Sequence, residues 1–229
     1  MTKNRILAWE GCNNVRDLGG LKTSDGRITR WGAVVRGDHP AMLTPAGWSA
    51  LYAHGVRTII SLRTHGQNED LPDAAPRPSG LTTLEVEIED LTDKEFLQKW
   101  AMTDLWSTPL YYQDALKRWP QRHAAAIAAI TQARPGGVLF HCKRGVDRTG
   151  IIALLVLSLV GVSAADIVAD YELSSDPGRD ELLAREHTSA RDVILATLKD
   201  LDSDDYFRSG GLSQINLDAF RARFLELDD

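Results

Sequence analysis

His141-Cys142-Lys143-Arg144-Gly145-Val146-Asp147-Arg148-Thr149-Gly150 is the stretch from which the fold of this chain can be read. Before it, Val138-Leu139-Phe140 is a short apolar run entered from Pro135-Gly136-Gly137, the pattern of a buried strand following a turn. After it, Ile151-Ile152-Ala153-Leu154-Leu155-Val156-Leu157 is apolar on every side, as expected of a helix in the middle of a domain. Residues 141–150 therefore form a strand-to-helix loop. Such a loop aims its free amides and the positive end of the helix dipole at an anion.

The residue types in the loop fit a phosphate. Cys142 attacks only as a thiolate, and thiol pKa values fall from about 8.5 to roughly 3.5–7.5 at helix N-termini or beside cations. Lys143, Arg144 and Arg148 supply such surroundings. Arg148, six positions after Cys142, can fold back and offer a planar fork to two phosphate oxygens, which lysine cannot do. Gly145 allows close approach of backbone, and the amides that include Val146 and Asp147 complete the ring. Thr149 is expected to donate its hydroxyl to the Cys142 sulfur. His141 is expected to fix the loop by bonding to backbone or to tune the thiol. A chance match to this pattern has a probability on the order of one in a million at ordinary residue frequencies. Gly145 and Gly150 have the separation of the adenosine-triphosphate loop, but Ile151-Ile152 stand where lysine and Ser/Thr would be needed.

The chain resembles the cysteine-dependent protein phosphatases, whose signature is H-C-x5-R-[S/T]-G. Asn14-Val15-Arg16-Asp17-Leu18-Gly19-Gly20 is similar to the N-terminal element of the bacterial tyrosine phosphatase family that has a mycobacterial member with a helical lid. Arg36-Gly37-Asp38, residues 43–47, 55–63 and 170–174 follow that family in order and spacing, so the resemblance covers most of residues 13–176. It implies a phosphatase working through a cysteinyl-phosphate, with no cofactor or metal. Phosphotyrosine is the first expected substrate, with phosphoserine, phosphothreonine and phosphoinositide left open. The chain departs at Val146, where the family often has lysine, and this counts against highly anionic substrates. The partner is then a phosphorylated protein or a small phosphate ester.

One carboxyl can protonate the leaving oxygen and later activate water. Asp147 is the first candidate, because a neighbouring dianion raises its pKa while Arg148 pulls the other way, and the resemblance assigns that role to the aspartate of this loop. Asp90 and Asp93, in the sort of upstream loop that other cysteine phosphatases use, are the alternatives. The resemblance also implies that Arg16 and Asp17 brace the catalytic loop, although Asn14 through Gly20 also reads as a plain turn. Arg63 ends a candidate strand on the edge where α/β sites collect, with Glu69 and Asp70 close enough in sequence to pair with it.

Two other functions stay open. A sulfurtransferase also presents a cysteine in an anion-binding loop, and an inactive phosphopeptide-binding module would keep the shape without turnover.

The chain of 229 residues, 43% hydrophobic and 25% charged, suits a single domain (1–229) with a sizeable core. A net charge of −6 argues against nonspecific nucleic-acid binding. With two cysteines no disulfide framework is implied. Met1 to Glu10 lacks the apolar core of a signal peptide, and the run from Ile151 to Val162 is too short to span a bilayer, so the expected location is cytoplasmic.

Alternating elements predict an α/β fold with a mainly parallel sheet flanked by helices. Strands are expected at 33–35, 57–62, 84–88 and 138–141, and a helix after Thr44-Pro45. Further helices are expected at about 163–173, 179–200 and 213–227, with Ser163 and Ser213 as caps. Leu71 to Gly80 reads as a surface loop. Residues 93–119 hold Phe96, Trp100, Trp106, Tyr111, Tyr112 and Trp119. Two short helices are expected there, packed on the core or forming a lid over Cys142. Asp200, Asp202 and Asp204 alternate like a calcium loop but lack its glycine and closing glutamate, so a solvated turn is expected. His187 reads as an exposed helix residue.

Overall fold

The run 137–141 becomes the middle strand of the sheet. A computed structural model describes residues 4–63 and 72–226. Its strands are β1 (Arg16–Asp17), β2 (Val34–Gly37), β3 (Val56–Ser61), β4 (Thr82–Glu85) and β5 (Gly137–His141), in the order β1-β2-β5-β3-β4. β2, β5, β3 and β4 run parallel, and β1 pairs antiparallel at the edge. The helices are α1 (Pro45–Ala53), α2 (Lys94–Phe96), α3 (Tyr112–Arg118), α4 (Pro120–Gln132) and α5 (Asp147–Leu159), then α6 (Ala164–Glu172), α7 (Pro177–Arg185), α8 (Ala190–Lys199), α9 (Ser203–Ser209) and α10 (Gln214–Phe224). The fold is α/β, as the alternation of elements indicates.

Side-chain alternation divides the core between the two faces of the sheet. Val35, Leu139 and Ile59 face α1 and join Trp48 and Leu51 in a smaller cluster. Val34, Val138, Phe140 and Ile60 face the other way, into the large cluster built around α5. α5 is buried along almost all of its length, which is why its sequence lacks a polar stripe. The chain passes from β2 to β3 and returns later to insert β5 between them. Their C-terminal ends therefore leave the crevice in which α/β sheets bind ligands.

Local signals place the caps. Thr44 accepts from the Gly47 amide at 3.2 Å, Ser163 from that of Asp166 at 3.1 Å, and Ser213 forms a capping box with Asn216.

The departures have local causes too. The helix expected over 179–200 is broken at 186–189, because the Ser189 hydroxyl accepts from the Asp192 amide and starts α8 afresh. His187 adopts φ 56° in that break rather than a helical conformation. The acidic turn at 200–205 is a helix start: Asp202 accepts from the Asp205 amide at 3.0 Å and caps α9. α4 and the edge strand β1, where a turn was expected, were not anticipated. The strand expected at 84–88 pairs only over 82–85, and residues beyond it run toward the crevice.

Residues 93–119 form the two expected short helices: α2, prolonged by a π-turn (Leu97–Ala101), and α3, entered from a 3-10 turn (Pro109–Tyr111), with a further 3-10 turn (Asp104–Ser107) between them. Phe96, Trp100, Tyr111, Tyr112 and Trp119 are buried in the large cluster, and Trp106 is partly buried against it. Arg118 ties the segment together by pairing with Asp93 at 2.9 Å and Asp114 at 2.9 Å. Of the expected surface loop, Ala75 is buried, its carbonyl accepting from the Trp48 indole at 3.2 Å. No helix among the described residues is long and apolar enough to cross a membrane.

Candidate active site

The loop leaves β5 at His141 and enters α5 at Asp147. Its carbonyls are tied to the surrounding scaffold one after another. That of His141 accepts from the Leu62 amide at 2.8 Å, and that of Cys142 from the His141 ring at 2.9 Å. Lys143 accepts from the His39 amide at 3.0 Å, Arg144 from Asn14 Nδ2 at 3.0 Å, and Gly145 from Arg36 Nη2 at 2.9 Å. In a trans peptide the N–H points opposite to the carbonyl. Carbonyls held outward therefore turn the following amides toward the inside of the loop, an anion-binding concavity. Gly145, at φ 72°, makes this possible: a Cβ there would lie 2.6 Å from the Gly37 carbonyl.

Behind the loop sits a buried ion cluster centred on Asp170 of α6. Arg36 reaches it at 2.8 Å and Arg16 at 3.0 Å, and Arg5 also pairs with it. Arg16 further holds Asn14 Oδ1 at 2.7 Å and Ser174 Oγ at 3.0 Å. Burial works against the charged form of Asp170, but Arg36, Arg16 and Arg5 together hold its carboxyl down at about 2. Arg16 and Arg36 therefore act on the loop through Asn14 and Gly145.

Asp17 does not brace the loop. It accepts from the Gly19 and Gly32 amides, both at 2.8 Å, and pairs with His54 at 2.8 Å. It faces away from the site because successive residues of β1 point to opposite sides. Thr149 departs from expectation as well: its hydroxyl is directed to the Gly37 carbonyl, at 3.5 Å, not to the Cys142 sulfur. His141 is buried, stacks edge-on against His39 and is held neutral by burial, its pKa lowered to about 3.

A cleft of about 350 Å³ opens over the loop, lined by Cys142, Lys143, Arg144, Asp147 and Arg148 from below. Glu89, Trp106 and Tyr111 are among the residues that close it from the other side. Cys142 is 3% exposed and Val146 is buried, whereas Lys143 is exposed at the rim. Arg144 bridges two carboxylates, Asp147 at 3.1 Å and Asp176 at 2.5 Å, so its charge is directed sideways rather than at the thiol. Burial raises the Asp147 carboxyl above its ordinary range, against the pull of Arg144. One of its oxygens, Oδ1, is buried with no hydrogen-bond partner.

Asp90 and Asp93 are occupied differently. Asp90 accepts from the Thr92 hydroxyl at 2.6 Å and amide at 2.8 Å, and pairs with Arg122 at 3.2 Å. Asp93 caps α2 through the Phe96 amide at 3.0 Å. These hydrogen bonds lower both carboxyls, the wrong direction for an acid. Arg63 is buried near the end of β3, at 8% exposure; Glu69 and Asp70, its expected partners, lie outside the described residues. Among the described residues, no cluster of His, Cys, Asp or Glu is arranged to hold a metal ion.

Glu89, Arg36, Asp170 and Asp176 were not singled out from sequence. Residues 36 and 170 carried a signal only through the segments resembling the family. Glu89 carried none, since nothing local marks a glutamate that the fold will bury.

A profile described as the tyrosine phosphatase family matches residues 7–226. A Cupriavidus necator protein named as a tyrosine-protein phosphatase is 32% identical over 178 residues, covering 72% of this chain and 61% of its own length. A tyrosine-protein phosphatase of Nostoc commune is 36% identical over 143 residues, or 62% of this chain and 48% of its own. The triple specificity protein phosphatase PtpB of Mycobacterium tuberculosis is 25% identical over 196 residues, covering 72% and 68%. The chain thus spans about half to three fifths of the length of the first two relatives. The core catalytic domain of the PP-IP phosphatase SIW14 from S. cerevisiae aligns with a TM-score of 0.42 at 16% identity, over 80% of this chain and 90% of that one.

Proposed function

This chain belongs to the tyrosine phosphatase family, and from that premise we propose that it hydrolyses phosphate monoesters, phosphotyrosine first among them, through a cysteinyl-phosphate intermediate. In the first step the Cys142 thiolate attacks phosphorus. A sulfur–phosphorus bond forms as the bond to the phenolic oxygen breaks, and Asp147 gives its proton to that oxygen. In the second step the Asp147 carboxylate takes a proton from water as the water oxygen attacks phosphorus. The sulfur–phosphorus bond breaks, the thiolate returns and inorganic phosphate leaves. The Arg148 fork and the amides of 143–148 hold the equatorial oxygens throughout, where charge builds up.

The observation that carries this reading is the run of outward-tied carbonyls from His141 to Gly145 around a buried thiol, with Asp147 and Arg148 on the wall of the same cleft. Two features favour an aryl ester. Trp106 and Tyr111 line the cleft and offer a ring its apolar contacts, and Val146 adds no cation for a second phosphate. Residues 93–119 would serve as the cover that shields the thiolate from water. A phosphorylated protein is the proposed partner. A reducing, cytoplasmic compartment is proposed because a catalytic thiol must stay reduced.

The test is hydrolysis of p-nitrophenyl phosphate and of phosphotyrosine in the presence of a chelator, by the parent and by Cys142→Ser. The parent should turn over both, and the serine variant should turn over neither while still binding vanadate. Metal-dependent turnover, full activity in the serine variant, or sulfur transfer from thiosulfate to cyanide by the parent would overturn the proposal.

A further inference from the structure

Glu89 is a carboxyl in the cleft for which the two-step reaction has no use. It is 2% exposed and lines the same cleft as Cys142, and neither oxygen has a full hydrogen bond, only the weaker pull of the Tyr111 hydroxyl and the Trp106 indole. Arg148 of α5 faces it with Nε 3.9 Å from Oε2. Asp147 of α5, Cys142 of the loop, and Tyr111 and Trp106 of the covering segment are the other groups acting on it or sharing its cleft. Asp104, Lys143 and Arg144 also line the cleft. The Tyr111 hydroxyl, also buried and without a full hydrogen bond, stays protonated, its pKa raised far above the ordinary value by burial and by Glu89. Two weak donors do not balance a buried carboxylate, which stays charged only if a cation does so, and here that cation is the guanidinium proposed to bind substrate.

We propose that Glu89 is a displaceable counter-ion: it balances Arg148 while the cleft is empty and takes up a proton when an oxyanion claims that guanidinium, so that substrate binding is coupled to proton uptake. The inference rests on the phosphate site proposed above. An incoming dianion does two things to Glu89, and both act in one direction. It neutralises the nearby cation, and it places like charge close by; each favours the protonated carboxyl. In the empty cleft burial raises Glu89 to about 7, with Arg148 pulling it down, so the change falls in the physiological range. Well below that pH Glu89 already carries its proton, and binding takes up none through it. Above it, binding takes up as much as one proton, and affinity falls about tenfold for each further pH unit. Glu89 is a positioning residue in this account, acting on substrate through Arg148.

Tungstate, a tetrahedral dianion across this range, is the probe. It would be titrated calorimetrically into Cys142→Ser, which takes the thiol out of the proton balance, and into Cys142→Ser/Glu89→Gln. Each titration would be run in buffers of different ionisation enthalpy at about pH 6 and about pH 8. At the higher pH the single variant should take up close to one proton more than the double variant and bind tungstate about tenfold more weakly. At the lower pH the two should nearly agree. Equal proton uptake and equal affinity at both pH values would overturn the inference while leaving the phosphate site standing. Absence of tungstate binding in Cys142→Ser would overturn both. Should the glutamine variant not fold, Cys142→Ser/Asp147→Asn decides: proton uptake that rises through about pH 7 supports Glu89, and uptake flat across that range refutes it.

Discussion

Replacing Asp170 with asparagine tests whether the buried ion cluster holds the phosphate-binding loop. Asp170 is 1% exposed, and of its three guanidinium partners Arg36 is 0% and Arg16 is 2% exposed. Its carboxyl lies at about 2 in the folded chain, against about 3.9 in an unfolded one. Linkage turns that difference into about 2–3 kcal/mol of stability at neutral pH. Because the folded value is the depressed one, the contribution is complete above about pH 4 and disappears as pH falls through about 2. The substitution also strands charges that solvent cannot reach, for which the loss is about 3–5 kcal/mol. A typical domain has about 5–15 kcal/mol in total, so the variant should be badly weakened. Urea unfolding at neutral pH, followed by tryptophan fluorescence, should show a loss of about 3 kcal/mol or more. Asp170→Asn should also lack the steep acid limb of the parent between about pH 4 and about pH 2. Protein that remains folded in the cold should have a lower kcat, because Arg36 and Arg16 would no longer hold the Gly145 carbonyl and Asn14. A loss below about 1 kcal/mol with an unchanged kcat would refute the reasoning.

Arg148→Lys keeps the charge and loses the fork, so kcat/KM for phosphotyrosine should fall by two orders of magnitude or so; steady-state kinetics within a few fold of the parent would remove Arg148 as the bidentate ligand. Asp147→Asn should lose about 10²–10⁴-fold on phosphotyrosine and much less on p-nitrophenyl phosphate, whose leaving group needs no proton. Asp93→Asn should leave that substrate ratio alone and at most slightly lower stability, since asparagine also caps helices; a selective loss there instead would make Asp93 the acid.

Features whose causes lie within a few residues could be read from sequence. The 141–150 loop, the strand before it and the apolar helix after it depend on turn, pattern and cap signals that act locally, and so do the Thr44, Ser163 and Ser213 caps. The same locality explains two misreadings: Ser189 and Asp202 are cap residues inside stretches taken as a continuous helix and as a turn, and one side-chain bond to a nearby amide decided each case. What the sequence determined by itself was therefore the α/β alternation and the identity of the groups at the centre of the loop. The tertiary structure decided which distant residues act on them. Arg16 and Asp170 are 154 positions apart, and they meet only because β1 and α6 converge behind the loop. Asp17, beside Arg16 in sequence, was turned away by the pleat of the same short strand. Glu89 acquired its raised carboxyl only from the burial that the assembled fold imposes on it. Burial and long-range charge are properties of the assembled packing, and no stretch of sequence near Glu89 or Asp170 carries them.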